Sequence, residues 1–232
     1  MKLALLGDIH GNELALQSVL AAVSASGVEK LLITGDLIGY YYEPLKVLDL
    51  LKLWDCNIVR GNHEDMLKNA LSDTEFLAKI DLRYGVGLRI AIEQLDEKQL
   101  LELCSLPHPQ ELVIDGCRIL LCHGTPWDND DYVYPDAQTE ILERCAVQGF
   151  DLVVLGHTHY PMRKKIGETL IVNPGSVGQP RNHQPGAHWA IFDTVSRNIE
   201  FRQEQYDSSA LVIECKQRNP DLPYLYEVLE RK

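Results

Sequence analysis

Seven side chains in five short stretches have the types and spacing of a divalent-metal site. Asp8 and His10 lie in Gly7-Asp8-Ile9-His10-Gly11-Asn12, and Asp36 in Gly35-Asp36-Leu37-Ile38-Gly39. Asn62 lies in Arg60-Gly61-Asn62-His63-Glu64, His123 in Cys122-His123-Gly124, and His157 and His159 in Gly156-His157-Thr158-His159. Singly, each has an ordinary explanation. Asp8 and Asp36 are common turn-capping types, Asn62 is a good helix N-cap, and His157 and His159 read as unrelated loop histidines. Together they combine carboxylate, amide and imidazole with no thiolate. That mixture suits Mn²⁺, Fe, Ni²⁺ or Zn²⁺ better than a structural, Cys-rich zinc site. Seven ligands are too many for one ion. They suit two ions about 3.5–4 Å apart that share a bridging carboxylate, an arrangement used for in-line displacement at phosphorus.

Each stretch follows an apolar segment of strand character, at residues 2–6, 31–34, 57–59, 119–121 and 152–155. The ligating types therefore stand where strands end, the edge of an open α/β sheet that binds ligands. The continuous apolar run 2–6 predicts a strand covered on both faces. Asn12 caps a helix with the stripe Leu14, Leu16, Val19, Leu20 and Val23, which Gly27 ends. A second helix spans 43–54 with Pro44 in its first turn, so residues 1–60 read β-α-β-α-β. Residues 64–105 then read as a helical excursion over 64–71, 75–92 and 97–104, with Gly85 and Gly87 as candidate breaks. Hairpins follow at 111–114 with 118–121, around Asp115-Gly116, and at 163–166 with 169–172. A third strand pair spans 187–193 and 198–202. A helix is expected over 137–148, and two more over 208–216 and 221–231. The expectation is an α/β chain, one domain over 1–232, with two mixed sheets packed face to face and helices outside.

Composition narrows the function classes. The chain has 232 residues and a formal charge of -12, which argues against a protein that coats duplex nucleic acid. A small phosphate ester or nucleotide remains compatible, because bound ions dominate the local field of such a site. The first residues lack the length and charge pattern of a signal peptide, and no apolar run approaches a membrane span. The six cysteines form no C-x-x-C pair. Free thiols and a cytoplasmic setting are expected.

The series D-x-H, G-D-x-x-G, G-N-H-E, H and G-H-x-H, running from residue 7 to residue 159, resembles the calcineurin-like metallophosphoesterase superfamily. Asn173-Pro174-Gly175-Ser176-Val177-Gly178-Gln179-Pro180-Arg181 is most similar to its small bacterial and archaeal phosphodiesterase branch. The resemblance implies a four-layer α/β/β/α sandwich of two packed mixed sheets with flanking helices. It implies that Asp8, His10 and His159 hold one ion, that Asn62, His123 and His157 hold the other, and that Asp36 bridges them. Manganese is the expected metal, with Fe, Ni or Zn as alternatives. Hydroxide held between the ions is the implied nucleophile, and His63 the general acid for the leaving oxygen. The expected activity is hydrolysis of a phosphodiester. Phosphomonoesterase or protein phosphatase activity, dinucleoside-polyphosphate hydrolysis and a non-catalytic scaffold are the alternatives. In phosphoprotein phosphatases, which this chain resembles around Arg60, an arginine there binds substrate phosphate. Their companion Asp-Arg-Gly is absent here, where Gly39-Tyr40-Tyr41-Tyr42 stands instead.

Arg60, Asn62 and Arg181 are the candidate substrate contacts, with His183 a weaker one. Tyr40, Tyr41 and Tyr42, and Trp127, are candidates either to stack an aromatic substrate group or to pack beneath their loops. Asp128, Asp130 and Asp131 lack the spacing and terminal Glu of a calcium loop and read as solvated. Gly175 and Gly178 are expected in a tight turn near the metals, and His108 and His188 are expected to be structural. No phosphate-binding G-x-x-x-x-G-K-[ST] loop or G-x-S-x-G elbow is present.

Overall fold

A computed structural model of the chain describes residues 1–231. The first apolar run forms strand β1 (Lys2–Leu6), and Asn12 accepts a hydrogen bond from the backbone of Ala15 to cap α1 (Glu13–Ala25). There follow β2 (Lys30–Ile33), α2 (Pro44–Leu51) and β3 (Cys56–Ile58). The helical excursion is α3 (Asn62–Ala70), α4 (Thr74–Tyr84), α5 (Gly87–Gln94) and α6 (Glu97–Cys104). The helix expected over 75–92 is thus two. Gly85 ends α4 at φ 82°, a left-handed conformation open to glycine at little cost.

The second half contains β4 (Gln110–Ile114), β5 (Cys117–Leu121), α7 (Thr139–Cys145), β6 (Leu152–Val154), β7 (Met162–Ile166), β8 (Thr169–Asn173), β9 (Ala187–Asp193) and β10 (Ile199–Glu204). Helices α8 (Ser209–Arg218) and α9 (Tyr224–Glu230) complete it. All three expected strand pairs are present and antiparallel. Helix α7 is shorter than the 137–148 expected, beginning after Gln138 and ending before Ala146.

The strands make two mixed five-stranded sheets, ordered β10-β9-β1-β2-β3 and β4-β5-β6-β8-β7. In the first, β1 pairs parallel with β2 and antiparallel with β9. In the second, β6 lies parallel between β5 and β8. Strand β1 shows why its run is unbroken. Leu3 and Leu5 join an apolar cluster with Ile119, Leu121, Val154 and Val172 of the other sheet. Ala4 and Leu6 join a cluster with Leu16, Val19 and Leu20 of α1 and Val47 of α2. A third cluster packs α7 and Phe150 on the outer face of the second sheet, through Leu120, Val153 and Ile171. The layers are therefore α/β/β/α, as the sequence resemblance implied. No helix among the described residues is long and apolar enough to cross a membrane, and the six cysteines are free.

Candidate functional site

The loops after β1, β2, β3, β5 and β6 meet at one edge of the paired sheets, where backbone hydrogen bonds lace them together. Ile9 and His10 N–H both donate to Asp36 O at 2.9 Å, Gly11 N–H to Leu37 O at 2.8 Å, and Gly156 N–H to His123 O at 2.6 Å. The loop after β8 clamps the first of these. Val177 N–H reaches Gly7 O, Gly178 N–H reaches Asp8 O, and Ser176 Oγ donates to Asp8 O at 2.7 Å. This accounts for the expected turn at Gly175 and Gly178. Asp8, His10, Asp36, Tyr40, His157 and His159 all lie in the left-handed region, with φ between 53° and 66°. Such a conformation costs a non-glycine residue roughly 1–3 kcal/mol and persists only where surrounding structure enforces it. The lacing enforces it here.

All seven expected ligands are buried, and their ligand atoms converge. Asp8, His10 and His159 form one group and Asp36, His123 and His157 another, each with its ligand atoms within 4.8 Å of one another. A third such group is His10, Asp36 and His63. Asn62 Oδ1 lies 3.1 Å from His123 Nε2, which places it with the second group. Asp36 stands between the groups, with Oδ2 3.7 Å from His10 Nε2 and 3.3 Å from His123 Nε2.

Hydrogen bonds on the far side of each imidazole fix which nitrogen faces inward. Nδ1 of His10, His123 and His159 meets the carbonyls of Ile38 (3.2 Å), Thr34 (2.6 Å) and Gln179 (2.6 Å). A carbonyl only accepts, so Nδ1 carries the proton and the neutral ring keeps an Nε2 lone pair. His157 is reversed. Its Nε2–H donates to Asp130 O at 3.1 Å, which leaves Nδ1 the inward lone pair. The inward nitrogens nearly touch: His10 Nε2 and His159 Nε2 are 3.2 Å apart, as are His123 Nε2 and His157 Nδ1. Asp8 Oδ2 is buried beside them with no hydrogen-bond partner. The lone pairs of His10 and His159, aimed at each other in a buried site, repel, and a cation between them turns repulsion into coordination. The residues present therefore fit divalent ions, with the outer hydrogen bonds setting each ring's tautomer and angle.

Titration reflects the same crowding. Burial, with the neighbouring His63, holds His10 well below the usual imidazole range, and burial and the charge on His123 push His157 down to about 3. Burial also lowers His159, and Arg181 adds to it. For Asp36, burial opposes ionisation, but the imidazoles of His123, His63 and His10 outweigh it and hold the carboxyl well below its usual range. Burial likewise opposes charge on His123, yet the Asp36 carboxylate lifts it to about 9. Without an ion, His123 Nε2 therefore holds a proton beside Asp36, and a divalent cation would take that proton's place and free the lone pair.

A narrow cleft opens over these groups, lined by Asp36, Asn62, His63, Tyr40 and Arg181 together with Tyr84 and Tyr132. The His63 backbone N–H donates to Asp36 Oδ1 at 2.9 Å. Its ring lies 4.7 Å from that of His10 and 4.8 Å from that of Tyr40. Its Nδ1 is buried without a partner against Gly39, where a Cβ would overlap it. Burial pushes His63 down to about 4. Arg181 donates to Gln179 Oε1 at 2.8 Å and to Tyr40 OH at 3.0 Å.

Other candidates lie elsewhere. Arg60 turns away from the cleft, donating to Leu106 O at 3.0 Å and pairing with Asp65 at 2.7 Å. Tyr41 and Tyr42 pack beneath their loop, and only Tyr40 of the three lines the cleft. Trp127 donates to Asp131 and stacks with Arg144. His183 is exposed. Asp128 caps its own loop by accepting from Asp130 N–H. Asp130 exceeds its expected solvated role, since its carbonyl orients His157. His108 Nε2 is buried without a hydrogen-bond partner, and His188 donates to Gln184 O.

Sequence reasoning missed Glu64. Fully buried, it accepts from Asp36 N–H and Leu37 N–H, each at 2.9 Å, and from Gly61 N–H at 2.8 Å. A carboxylate two residues after the expected ligand Asn62, in the first turn of a helix, was the available signal. Tyr84, at the end of α4, and Tyr132, in the polar loop, carried no local signal of their place in the cleft.

The strand-end edge gathers side chains that could hold metal ions, and the chain belongs to the calcineurin-like phosphoesterase superfamily, whose domain model matches residues 1–197. An uncharacterized protein of Methanocaldococcus jannaschii is 29% identical over 227 residues, 88% of each chain. The phosphodiesterase YfcE of Escherichia coli is 25% identical over 201 residues, covering 84% of this chain and 89% of YfcE. The crystal structure of a metallophosphoesterase from Sphaerobacter thermophilus superposes with a TM-score of 0.82 at 26% identity, covering 100% of this chain and 98% of that one.

Proposed function

We propose that the chain is a cytoplasmic, dinuclear-metal phosphodiesterase acting on a small phosphate ester or nucleotide. The observation that carries this reading is the set of inward ring nitrogens of His10, His159, His123 and His157, facing one another beside the carboxylates of Asp8 and Asp36. In this reading Asp8, His10 and His159 hold one ion, Asn62, His123 and His157 the other, and Asp36 bridges them. Such an oxygen-and-imidazole set is compatible with Mn, Fe, Ni and Zn, and manganese is the ion this reading adopts. When bound, the ions supply a strong nucleophile from water at neutral pH and neutralise charge growing at phosphorus. Arg181 grips a phosphoryl oxygen from the cleft wall, while Arg60 supports the turn before α3. The whole chain works as one domain, with the helical excursion contributing a cleft wall through Tyr84.

His63 is the general acid in this reading. Burial favours its neutral ring, and an anionic phosphoryl group beside the ring raises its proton affinity, the direction an acid needs. His63→Ala is expected to slow hydrolysis of alkyl or nucleoside esters about 10²–10⁴-fold, the usual range for general acid catalysis. Activated aryl esters, whose leaving groups need no proton, should lose less than about tenfold. Equal losses on both substrate types would remove the acid role.

The reading is tested by stripping the protein with chelator and reloading it separately with Mn²⁺, Ni²⁺, Zn²⁺ and Mg²⁺. Paired aryl phosphate diester and monoester substrates are then compared. Turnover is expected to vanish on chelation and return most fully with Mn²⁺, with the diester preferred. A monoester preference would make the protein a phosphomonoesterase. Two ions bound per chain with no turnover of either ester would sink the catalytic reading.

A further inference from the structure

The terminal helices α8 and α9 lie beyond residue 197, where the family match ends, yet they are tied to the cleft. Tyr41 OH donates to Leu225 O at 3.0 Å, and Asn219 Nδ2 donates to Tyr42 OH at 2.6 Å. Asn219 also reaches the excursion, where its Oδ1 accepts from Val86 N–H at 3.1 Å. Tyr224 does the same by another route: its hydroxyl donates to Arg83 O at 2.7 Å, and its ring stands edge-on to Tyr40 with centroids 6.4 Å apart. Tyr84, on the other side, meets Tyr40 edge-on at 5.8 Å. Two terminal residues thus bridge the two segments that wall the cleft, the 39–42 loop and the α4–α5 junction.

Tyr40 is the point on which these contacts converge. Its φ of 57° is unfavourable for a bulky residue, so its position is imposed from outside. Its hydroxyl accepts from Arg181 Nη2 at 3.0 Å, and its ring lies 4.5 Å from that of His10. A Cβ on Gly87 would overlap the Tyr40 backbone, so the start of α5 presses directly on this residue. The chain of contact reaches Tyr40 directly from Tyr224, and from Asn219 through Tyr42 and through Val86 beside Gly87, and passes on to the guanidinium that lines the cleft.

We propose that Asn219 and Tyr224 are positioning residues: the terminal helix pair holds Tyr40 in place and thereby fixes Arg181 for an anionic phosphoryl group. This rests on the phosphoesterase reading only in taking phosphate as the ligand. Asn219 and Tyr224 are not among the residues that line the cleft, and they act through Tyr40 and Arg181, so their effect falls on binding.

The test measures inorganic phosphate binding by calorimetry to the full-length, Mn²⁺-loaded protein, and KM and kcat on the aryl diester in parallel. Tyr224→Leu and Asn219→Ala are each expected to weaken phosphate binding about tenfold, equivalent to about 1.4 kcal/mol, and to raise KM similarly with kcat changed less than about threefold. Tyr224→Phe, which keeps the ring and loses only the bond to Arg83 O, should weaken binding about threefold and decides the matter should the larger changes prevent folding. The same substitutions in an Arg181→Met background should change binding less than about twofold, because residues acting through one partner are not additive. Unchanged phosphate affinity in the single variants, equal losses with and without Arg181, or no phosphate binding by the wild type each overturn the proposal. Phosphate binding with the expected pattern in a protein that hydrolyses neither ester would uphold the brace and sink the catalytic reading. Turnover with unperturbed binding would do the reverse.

Discussion

Asp36→Asn is expected to reduce metal-supported turnover roughly 10³-fold, the upper end of what loss of one preorganised electrostatic group costs, while leaving the metal-free fold intact. The fold should survive because the asparagine oxygen can still accept the His63 N–H bond now made by Asp36 Oδ1. The replaced Oδ2 faces His10 and His123, and an amide N–H there meets an imidazole lone pair. The substitution removes the attraction that lifts His123 to about 9, but it also removes a buried carboxylate, and these contributions oppose each other. The metal-free variant should therefore melt within a few degrees of the wild type. The difference appears on adding Mn²⁺. An ion present at about 100 times its Kd stabilises the native state by about 2.7 kcal/mol. For a chain of this size that is a rise of roughly 5–10 °C in melting temperature. Asp36→Asn should lose most of that rise along with turnover. A variant that keeps the full metal-induced shift and a tenth or more of the activity would show that Asp36 does not bridge the ions.

The convergence of the candidate site was legible in the sequence because its expected ligands obey a local rule: each stands within a few residues of a strand end. Asp8 follows β1 and Asp36 follows β2 by a few residues, and the apolar runs that mark those strands are short-range signals. The layered architecture was legible for a related reason. Leu3 and Leu5 face one core and Ala4 and Leu6 another, so an unbroken apolar run announces a strand buried on both faces. What was not legible depends on contacts distant in sequence. Arg60 adjoins the ligand loop, yet its side chain is captured by Leu106 O and Asp65. Tyr40 and its neighbours Tyr41 and Tyr42 are alike in sequence, and only packing by Asn219 and Leu225 separates the residue that lines the cleft from the two beneath it. The place of β6 between β5 and β8 likewise follows from pairing rather than from any local pattern.

Glu64 shows how much of the site's precision lies outside the ligands, and its replacement should carry the largest stability effect. Its two oxygens accept three backbone N–H groups from two different ligand loops, so one side chain fixes the loop bearing Asp36 against the turn bearing Asn62. The turn itself cannot adjust, since a Cβ on Gly61 would already overlap Asp36. Glu64→Ala leaves three buried donors unpaired at about 1–3 kcal/mol each. Several kcal/mol is a large part of the roughly 5–15 kcal/mol that holds a domain together, and each kcal/mol lowers the melting temperature of a chain this size by about 2–4 °C. A fall on the order of 10 °C or more is expected. Glu64→Gln is the sharper probe, because it keeps shape and burial. A carboxylate accepts at both oxygens, whereas an amide accepts at one and donates at the other. Whichever way the amide turns, its NH₂ faces a backbone N–H, either Leu37 alone or Asp36 and Gly61 together. The loss should be about 1–3 kcal/mol, with a matching drop in Mn²⁺ affinity because Asp36 and Asn62 no longer share a fixed frame. A Glu64→Gln protein that melts within about 2 °C of the wild type and binds Mn²⁺ equally well would mean that the loops are held by their own backbone lacing, and that Glu64 merely fills the space between them.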